Sequence, residues 1–310
     1  MLSLHRGTPI AEIVFKDKKT KPKTVYVNDG EEEKNDIDSN IKDEILPKSF
    51  FTGLKNVNPA NMILLKRAIR MGTKELLGSN ANLNNAYDRA QELLKEILRK
   101  YMEIPKSDGK VEVVCSGKWD GHTSVMAPSG AGKSTWIANY LTQYKKSHPK
   151  NCIYVFSPLR DDPAFVDLKP QYIKIDETII QDPLDITEEC FKNSCLIFDD
   201  IESITDKGLN EAVQRFRDQV LEVGRHYGSI AVCVSHIIMN GLSTRRMLNE
   251  ASNIVLFPKT NFNAISNFCR RYMGMGRDEI NWVKQIPSRW MCIKRNYPTT
   301  IITENSIKVL

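Results

Sequence analysis

The chain has 310 residues, of which 41% are hydrophobic and 26% are charged, and its net charge is +6 at neutral pH. This length can bury one α/β core together with a smaller appendage. The seven cysteines lack paired ligand spacing and the N-terminal apolar stretch is short, so the composition argues against a disulfide framework, a zinc site, a signal peptide and a membrane span.

Residues 1–108 form a predicted N-terminal appendage without a recognisable motif. Short strands are predicted at 10–15 and 24–27, on either side of a basic turn. Residues 29–44 hold eight acidic residues against two lysines. This composition is too polar to pack, and we expect a flexible loop there.

Apolar spacing predicts two helices after this loop, at 58–77 and 83–101. Such a pair of helices is compatible with a lid at a subunit contact and equally with a support for the sheet. The residues offer no motif that chooses between these two roles.

A glycine-rich loop of the Walker A kind follows the apolar run 123–126. Small residues there let backbone N–H groups approach a polyphosphate without a Cβ in the way, although a plain glycine-rich turn is the alternative. Lys133 is predicted to reach the β and γ phosphates, and Ser134 to place its hydroxyl on Mg²⁺. The helix that begins near Thr135 would add the positive end of its dipole.

Ala127 stands where the pattern usually has glycine, and this substitution requires only that position 127 keep an ordinary extended backbone. The predicted nucleotide-binding residues are Ser129, Gly130, Ala131, Gly132, Lys133, Ser134 and Thr135.

Asp199 and Asp200 follow the apolar run 195–198, a pattern typical of a buried parallel strand that ends in carboxylates, the Walker B form. Asp199 is predicted to bind Mg²⁺, directly or through water. Asp200 points the other way from the strand end, and we expect it to polarise the water that attacks the γ phosphate. Glu202 is a weaker candidate for this base because it lies beyond the strand end. Two adjacent acids alone would equally mark a turn, and the upstream loop favours the functional interpretation.

The order of the apolar strands predicts the additional-strand class of P-loop ATPases. Strands are predicted at 152–156 and 172–175, between the two motifs, and another apolar run at 230–234 ends in Ser235 and His236. In this class the strand after Walker B inserts between the two motif strands. Ser235 or His236 would then sense the γ phosphate, whereas a solvated loop histidine is the alternative.

Arg225 follows a predicted amphipathic helix and precedes the sensor strand. An arginine at a subunit edge can enter a neighbour's nucleotide site and stabilise charge on the transferred phosphoryl group. The alternative is a cation that interacts favourably with the dipole at the helix C-terminus. The helix itself is predicted from one apolar stripe, formed by Leu209, Val213, Phe216, Val220 and Val223.

Taken in order, these segments resemble the genome-packaging ATPases of poxviruses and giant DNA viruses, which belong to the FtsK-HerA superfamily of DNA-pumping motors. The resemblance covers about residues 110–310. It depends on the Walker A loop, the Walker B strand and three further segments, 224–228, 234–236 and 244–250.

The resemblance implies a P-loop core at 109–310 with a mostly parallel FtsK-HerA or RecA-like sheet flanked by helices. It implies that Arg225 acts in trans, with Arg245 and Arg246 as alternatives for that role. Cellular relatives commonly carry Gln as the sensor, where this chain has His236. The site residues carried over on the same basis are Lys133, Ser134, Asp199, Asp200 and His236.

The positive charge is concentrated at the C-terminus. Residues 258–310 hold nine basic and three acidic residues, and the preceding 257 residues hold 35 of each. Such a tract can follow a phosphate backbone without reading bases, so we expect sequence-independent binding of double-stranded DNA there. A solvated basic face is the alternative. Interleaved aromatic residues, expected in the core rather than as stacking platforms for bases, are Phe262, Phe268, Tyr272, Trp282 and Trp290.

The sequence therefore predicts an ATP-driven translocase that packages double-stranded DNA into a preformed viral capsid, with ATP and Mg²⁺ as ligands. We expect a homo-oligomeric ring, a capsid or inner-membrane docking protein as a further partner, and a location in the host cytoplasm and the virion. Two other classes stay open. One is a DNA-dependent P-loop ATPase of helicase-like or conjugation type, and the other is an ATP-binding capsid assembly factor without motor activity.

Overall fold

The computed structural model describes residues 2–3, 7–15, 21–27, 101–103, 111–114, 121–158, 162–239, 241–295 and 297–310, and only the backbone at 3, 101–103, 111–114 and 241–244. Its strands are β1 (Leu2–Ser3), β2 (Thr8–Phe15), β3 (Lys23–Val27), β4 (Tyr101–Glu103), β5 (Val111–Val114), β6 (Thr123–Met126), β7 (Cys152–Phe156), β8 (Gln171–Ile173), β9 (Ser194–Asp199), β10 (Ile230–Ser235), β11 (Asn253–Leu256), β12 (Met291–Lys294), β13 (Thr300–Thr303) and β14 (Ser306–Val309). Its α-helices are α1 (Lys133–Ser147), α2 (Thr178–Gln181), α3 (Lys207–Val223), α4 (Gly241–Glu250), α5 (Phe262–Tyr272) and α6 (Arg277–Gln285). Short 3₁₀ helices lie at Pro163–Leu168, Glu189–Phe191, Ile201–Ser203 and Gly224–Tyr227.

The described parts of Cys115–Ile265 and Cys292–Asn296 form one compact unit, which is built on a parallel sheet. Six of its strands lie in the order β11-β6-β10-β9-β7-β8, and every neighbouring pair is parallel. The strands β6, β10 and β11 are buried along their whole length. Continuous burial is expected of a parallel sheet covered on both faces, and it explains the uninterrupted apolar runs. The predicted α/β fold with a mostly parallel sheet is confirmed.

The strand β10 inserts between the two motif strands, as the sequence predicts. Its residues 232–235 pair with 123–126 of β6, and its residues 230–234 pair with 195–199 of β9. Because these three strands run parallel and in register, their carboxyl ends meet at one edge of the sheet. The loops that follow them are therefore neighbours.

Aromatic side chains hold α3 against this sheet. The rings of Phe156 and Phe198, on neighbouring strands, stack with centroids 5.0 Å apart. Phe216 of α3 packs against them and lies 5.0 Å from Phe191, centroid to centroid. Such aromatic pairs stabilise a core beyond the area that they bury, each by about 1 kcal/mol.

The predicted apolar stripe of α3 is wrong at its last position. Val223 is 37% exposed, whereas Leu221, which the stripe omits, is buried. The predicted stripe has alternating spacings of four and three residues, which average 3.5 residues. An α-helix has 3.6 residues per turn, so that stripe drifts around the helix and leaves the buried face by its last turn.

A second compact unit contains the described parts of Met1–Val114 together with Ser266–Met291 and Tyr297–Leu310. It includes a four-stranded antiparallel sheet in the order β1-β3-β2-β5, in which β2 and β3 are the two strands predicted from the sequence. The strands β13, β14 and β4 are antiparallel neighbours. Phe268 and Trp282 are buried, as expected for core aromatics. A domain boundary at residue 108 stays a prediction.

The structure departs from the predicted elements at Tyr101 and in elements that were not predicted. Tyr101, predicted as the end of a helix, begins β4 instead because it pairs with Lys308 of β14, and such tertiary pairing overrides helical propensity. Elements without a counterpart among the predictions include α2, α4, α6, β1, β5 and β14. The acidic segment 29–44, the predicted helix at 58–77 and most of the helix predicted at 83–101 lie outside the described residues.

None of the helices within the described ranges combines the length and apolarity needed to span a bilayer.

His122 is buried in the core where β6 begins. Its Nδ1 accepts a hydrogen bond of 2.9 Å from the backbone N–H of Ala231. Burial, assisted by the positive charge of Arg225, lowers the pKa of the ring from 6.5 to about 4. Between these two values the unfolded chain binds a proton that the folded chain does not bind, so acid favours unfolding there.

We expect the free energy of unfolding to fall as the pH is lowered from about 6.5 to about 4, by on the order of 3 kcal/mol from this ring. The variant His122→Asn keeps an acceptor near the Nδ1 position but cannot titrate. Its stability should therefore fall less over the same range. Urea unfolding of both chains at a series of pH values measures the difference, and equal pH dependence would contradict this role of His122.

Candidate functional site

The loop between β6 and α1 has the backbone that a phosphate-binding loop requires. Gly130 and Gly132 have φ angles of 75° and 102°, a region that side chains with a Cβ rarely adopt. A Cβ at Gly130 would meet no heavy atom within 4 Å, so the conformation, and not crowding, requires glycine there. Ala127, which departs from the usual pattern, does not adopt a positive φ. Its N–H donates to the carbonyl of Ser235 at 3.1 Å and ties the loop to the end of β10.

Most of the predicted binding residues of this loop are at least partly exposed. Ser129, Gly130, Gly132 and Thr135 are exposed. Ala131 and Ser134 are half-buried. Gly132 caps the N-terminus of α1, where backbone N–H groups of the first turn have no partner within the helix. The loop is therefore accessible to solvent beside the N-terminus of α1.

Lys133 is the buried cation of this site. Its Nζ donates to the carbonyl oxygens of Ala127 at 2.8 Å and Pro128 at 3.2 Å, and it lies 3.1 Å from Nδ1 of His236. Burial lowers the pKa of Lys133, and the carboxylates of Asp199 and Asp200 oppose that shift. The ammonium group thus contacts the glycine loop and His236 and interacts with the charges of Asp199 and Asp200, whereas its contact with β and γ phosphates stays a prediction.

Asp199 and Asp200 end β9 at the same edge of the sheet. Burial raises the pKa of Asp199, and the negative charges of Asp200 and Asp162 raise it further. Asp200 adopts the left-handed conformation, with φ of 51°. The backbone N–H and Oγ of Ser203 both donate to its carbonyl oxygen, at 3.0 and 2.8 Å, and hold this unusual turn. Conformations of this kind cost about 1 kcal/mol or more and occur often at functional sites.

The two sensor candidates, Ser235 and His236, differ in what they contact. The Ser235 hydroxyl exchanges hydrogen bonds with the backbone of Ile237. The ring of His236 instead lies between Lys133 and Asp200, with Nε2 at 3.6 Å from Oδ2 of Asp200. Because the ammonium of Lys133 can only donate, Nδ1 is the acceptor, and we assign the ring proton to Nε2, which faces Asp200.

Arg225 is not brought to this site. It lies in the 3₁₀ turn Gly224–Tyr227, which precedes β10, whereas the phosphate loop follows the end of β6. The six residues of β10, at about 3.3 Å each, place roughly 17 Å between the two edges of the sheet. The Arg225 side chain is 56% exposed, and its Nη2 lies 3.3 Å from Oε2 of Glu250.

The alternatives for the trans-acting arginine, Arg245 and Arg246, lie on α4. Both are exposed. Arg246 forms an ion pair of 2.9 Å with Oδ2 of Asp218 on α3. Among the described residues, the groups that contact Lys133 or His236 within one chain include none of these three arginines.

Comparison with known proteins finds a relative among viral proteins. The chain is 34% identical over 236 residues to uncharacterized protein V3 of the Sputnik virophage, and the match covers 75% of this chain and 91% of that protein. The chain belongs to the V3 family. This relationship confirms the viral kinship that the ordered motifs predict. No family model matches the sequence.

Comparison with solved structures finds similarity at low sequence identity. The genome packaging NTPase B204 from Sulfolobus turreted icosahedral virus 2, in complex with ATP-gammaS, is 16% identical to this V3-family chain, with a TM-score of 0.40, over 62% of this chain and 98% of that chain. The cytoplasmic domain of the type VII secretion ATPase EccC from Thermomonospora curvata is 11% identical, with a TM-score of 0.40, over 66% of this chain and 28% of that chain.

The structure of this V3-family chain adds residues that the sequence did not indicate. The carboxylate of Asp162, whose residue follows β7, acts on Asp199. The rule that carboxyl ends of parallel strands meet at one edge could have found it. Asn210 on α3 donates from Nδ2 to the carbonyls of Ile201 and Ile204, at 2.9 and 3.2 Å, and so holds the turn after Walker B. Arg217, also on α3, is buried at 1% exposure. Its spacing of four residues from Val213 and three from Val220, both on the buried stripe, is the signal that could have found it.

Proposed function

We propose that this member of the V3 family hydrolyses ATP and uses that hydrolysis to move double-stranded DNA into a viral capsid. The observation that carries the proposal is the arrangement of Lys133, Asp199, Asp200 and His236 beside a glycine loop at one edge of a parallel sheet. The ordered sequence segments that resemble packaging ATPases support the DNA-pumping role. The host cytoplasm, where viral particles assemble, and the virion are the expected locations, with a capsid or inner-membrane protein as the docking partner.

The residues of this site fit a triphosphate with Mg²⁺. The open space over Gly130 and the unpaired donors at the start of α1 suit phosphate oxygens. Ser134 and Asp199 offer a hydroxyl and a carboxylate oxygen, which are ligands that Mg²⁺ takes alongside nucleotide phosphates. Bound Mg²⁺ would withdraw charge from the phosphates that it contacts.

In this proposal the buried cation changes partners when nucleotide binds. Lys133 now donates to two loop carbonyls and to His236. Charged phosphate oxygens form stronger hydrogen bonds with an ammonium than neutral carbonyls do, so Lys133 turns to the β and γ phosphates. Nδ1 of His236 then loses the hydrogen bond that it accepts from Lys133. The loss of this bond is how His236 would sense a bound γ phosphate. Asp200, next to Nε2 of His236, is placed to orient and deprotonate the attacking water.

ATP turnover with and without long duplex DNA tests this function. We expect duplex DNA to stimulate turnover, and the variant Lys133→Ala to lower it by more than about a hundredfold because charge on the phosphates loses its main protein cation. The exposed Lys146 of the same helix gives the control, since Lys146→Ala should leave turnover unchanged. Retained turnover in Lys133→Ala would remove the phosphate-loop assignment.

The same assay separates the two other classes of function. Preferential stimulation by single-stranded DNA would favour a helicase-like or conjugation-type ATPase. Nucleotide binding with slow turnover, whether or not DNA is present, would favour a capsid assembly factor.

We further propose that the protein works as a homo-oligomeric ring. Arg225 lies at the sheet edge opposite the phosphate loop, so it serves a nucleotide site only if that site belongs to another copy of the chain. A contact between two different edges is heterologous, and successive heterologous contacts close into a ring when the rotation allows it. Arg225 would leave Glu250 and enter the neighbouring site, where its charge stabilises the transferred phosphoryl group.

Mixing experiments test this shared site. When wild-type and Arg225→Ala chains are combined, we expect ATP turnover to fall by more than the fraction of mutant chains, because each mutant chain disables a neighbour's site. Arg215→Ala, which removes an exposed arginine of α3, is the matched control and should leave turnover unchanged. A loss in simple proportion to the mutant fraction would show that each site is self-contained.

The basic tract 258–310 is the proposed DNA contact, but two of its nine cations are not available. Lys294 and Lys308 are buried, and Nζ of Lys308 lies 4.6 Å from the centroid of the Trp282 ring. The side chains of these two lysines contribute to the packing of the core. The cations exposed to solvent are Lys259, Arg270, Arg271, Arg277, Lys284, Arg289 and Arg295.

Charge-neutralising Arg270 and Arg271, at the end of α5, should flatten the salt dependence of duplex binding. Each lost phosphate contact lowers the slope of log K against log salt by about 0.9, so the double Gln variant should lose up to about 1.8. The double variant Lys207→Gln with Arg215→Gln, on exposed positions of α3, is the control of equal charge. Fluorescence anisotropy at several salt concentrations measures the slopes, and an unchanged slope would place the DNA path elsewhere.

A further inference from the structure

Arg217 of α3 is a fully buried arginine whose charge is only partly satisfied. Its Nε and Nη2 both donate to Oδ1 of Asp218, at 2.9 and 2.7 Å. The other carboxylate oxygen of Asp218 accepts from Nη1 of Arg246 on α4 at 2.9 Å. Two arginines therefore share one carboxylate, and one of them is 1% exposed.

The third nitrogen of this guanidinium has no acceptor. Among the described residues, Nη1 of Arg217 is a buried donor without a hydrogen-bond partner. Leaving such a donor unsatisfied is destabilising, and more so for a charged group. We expect a buried donor of this kind to find its hydrogen-bond acceptor in another conformational state of the protein.

One carboxylate whose charge interacts with Arg217 is that of Glu202. It lies in the 3₁₀ turn Ile201–Ser203, directly after Asp200. Burial raises the pKa of the Glu202 carboxyl, and the charge of Arg217 opposes that rise. Asp200 and His236 also act on this carboxyl. Glu202 therefore belongs to the turn that follows Asp200 and is a candidate acceptor for the guanidinium.

The helix α3 already holds this turn from the same side. Asn210 donates from Nδ2 to two carbonyls of the turn, and Gln214 donates to Oδ1 of Asn210. Asn210, Gln214 and Arg217 are spaced by four and three residues, so they form a polar column on one face of the helix. The column runs from the turn to the buried guanidinium.

The geometry of this turn matters because Asp200 precedes it in a left-handed conformation. Residues in such conformations persist only when the surrounding structure holds them. A contact that fixes residues 201–203 therefore also fixes the direction in which the Asp200 carboxylate points.

We propose that Arg217 is a positioning residue, whose free Nη1 takes the Glu202 carboxylate as its partner when nucleotide is bound and thereby holds Asp200 in place for hydrolysis. This inference rests on the proposed function, because it assigns the role of Asp200 at the same site. Glu202 is then the partner of Arg217, and the base remains Asp200.

The kinetic test compares Arg217→Met, Glu202→Gln and the double variant with the wild type. Each single change should lower kcat by about tenfold while KM for ATP stays within about twofold. The double variant should be no worse than either single variant, because both remove one contact. Arg217→Lys, which keeps the charge, should retain more activity than Arg217→Met. An unchanged kcat in Arg217→Met, or losses that multiply in the double variant, would overturn the proposal.

A matched control on the same helix separates the buried guanidinium from the general charge of α3. Arg215→Met removes an exposed arginine of α3 and should leave kcat within about twofold. A loss equal to that of Arg217→Met would overturn the proposal, because it would show that turnover responds to any cation of this helix. The Arg217→Met chain is expected to fold, since exchanging a buried charge for an apolar side chain of similar volume is often neutral, and Asp218 keeps Arg246.

A second measurement does not depend on turnover. The shifts in Tm of the wild type, Arg217→Met, Glu202→Gln and the double variant, measured with and without ATPγS and Mg²⁺, form a double-mutant cycle. We expect the two changes to be non-additive, and more so with nucleotide. If the wild type hydrolyses no ATP, the proposed function is wrong. The cycle of Tm shifts still tests whether Arg217 and Glu202 interact. Additive shifts under both conditions would overturn the role of Arg217.

Discussion

The parallel, in-register pairing of β10 with both β6 and β9 is the constraint on which the site depends. Each of these strands is short, and the polar groups follow directly where the apolar runs end. Register therefore decides which side chains meet. Since Val234 is paired with Asp199 and Ser235 with Met126, the His236 ring, the Lys133 ammonium and the Asp200 carboxylate are adjacent although they are far apart in the sequence. A slip of one residue in β10 would move its buried side chains to the opposite face and separate these groups.

The same sheet also gives the molecule two chemically different edges, and α3 connects them. Its first turn is capped by Asp206, whose carboxylate accepts from the N–H of Leu209 near the turn that follows Walker B. Its other end continues into the 3₁₀ turn that carries Arg225. A displacement of α3 would therefore alter the turn that holds Asp200 and the position of Arg225 together. In the proposed ring this helix is the rigid element that links one nucleotide site to the next.

Buried charge is concentrated beside this helix and the phosphate loop. Removing an ammonium or a guanidinium from water is costly unless hydrogen bonds replace the lost hydration. Lys133 receives that replacement from two loop carbonyls and a histidine, whereas Arg217 receives it on only two of its three nitrogens. Both cations are held in states that an incoming negative group would improve. This property suits a protein that must change conformation when a polyphosphate binds.

The sequence alone determined the features that depend on local periodicity and backbone chemistry. Apolar runs gave the parallel strands and their order, and the glycines at 130 and 132 marked positions that need positive φ. The tertiary structure alone decided which polar side chains face each other. It selected His236 over Ser235 as the neighbour of Lys133, placed Arg225 at the far edge, exposed Val223 and buried Arg217 and Lys308. The physical reason is that periodicity records how a segment faces a core, whereas the partner of a charge depends on register and on helix drift, which are set by contacts between residues distant in the chain.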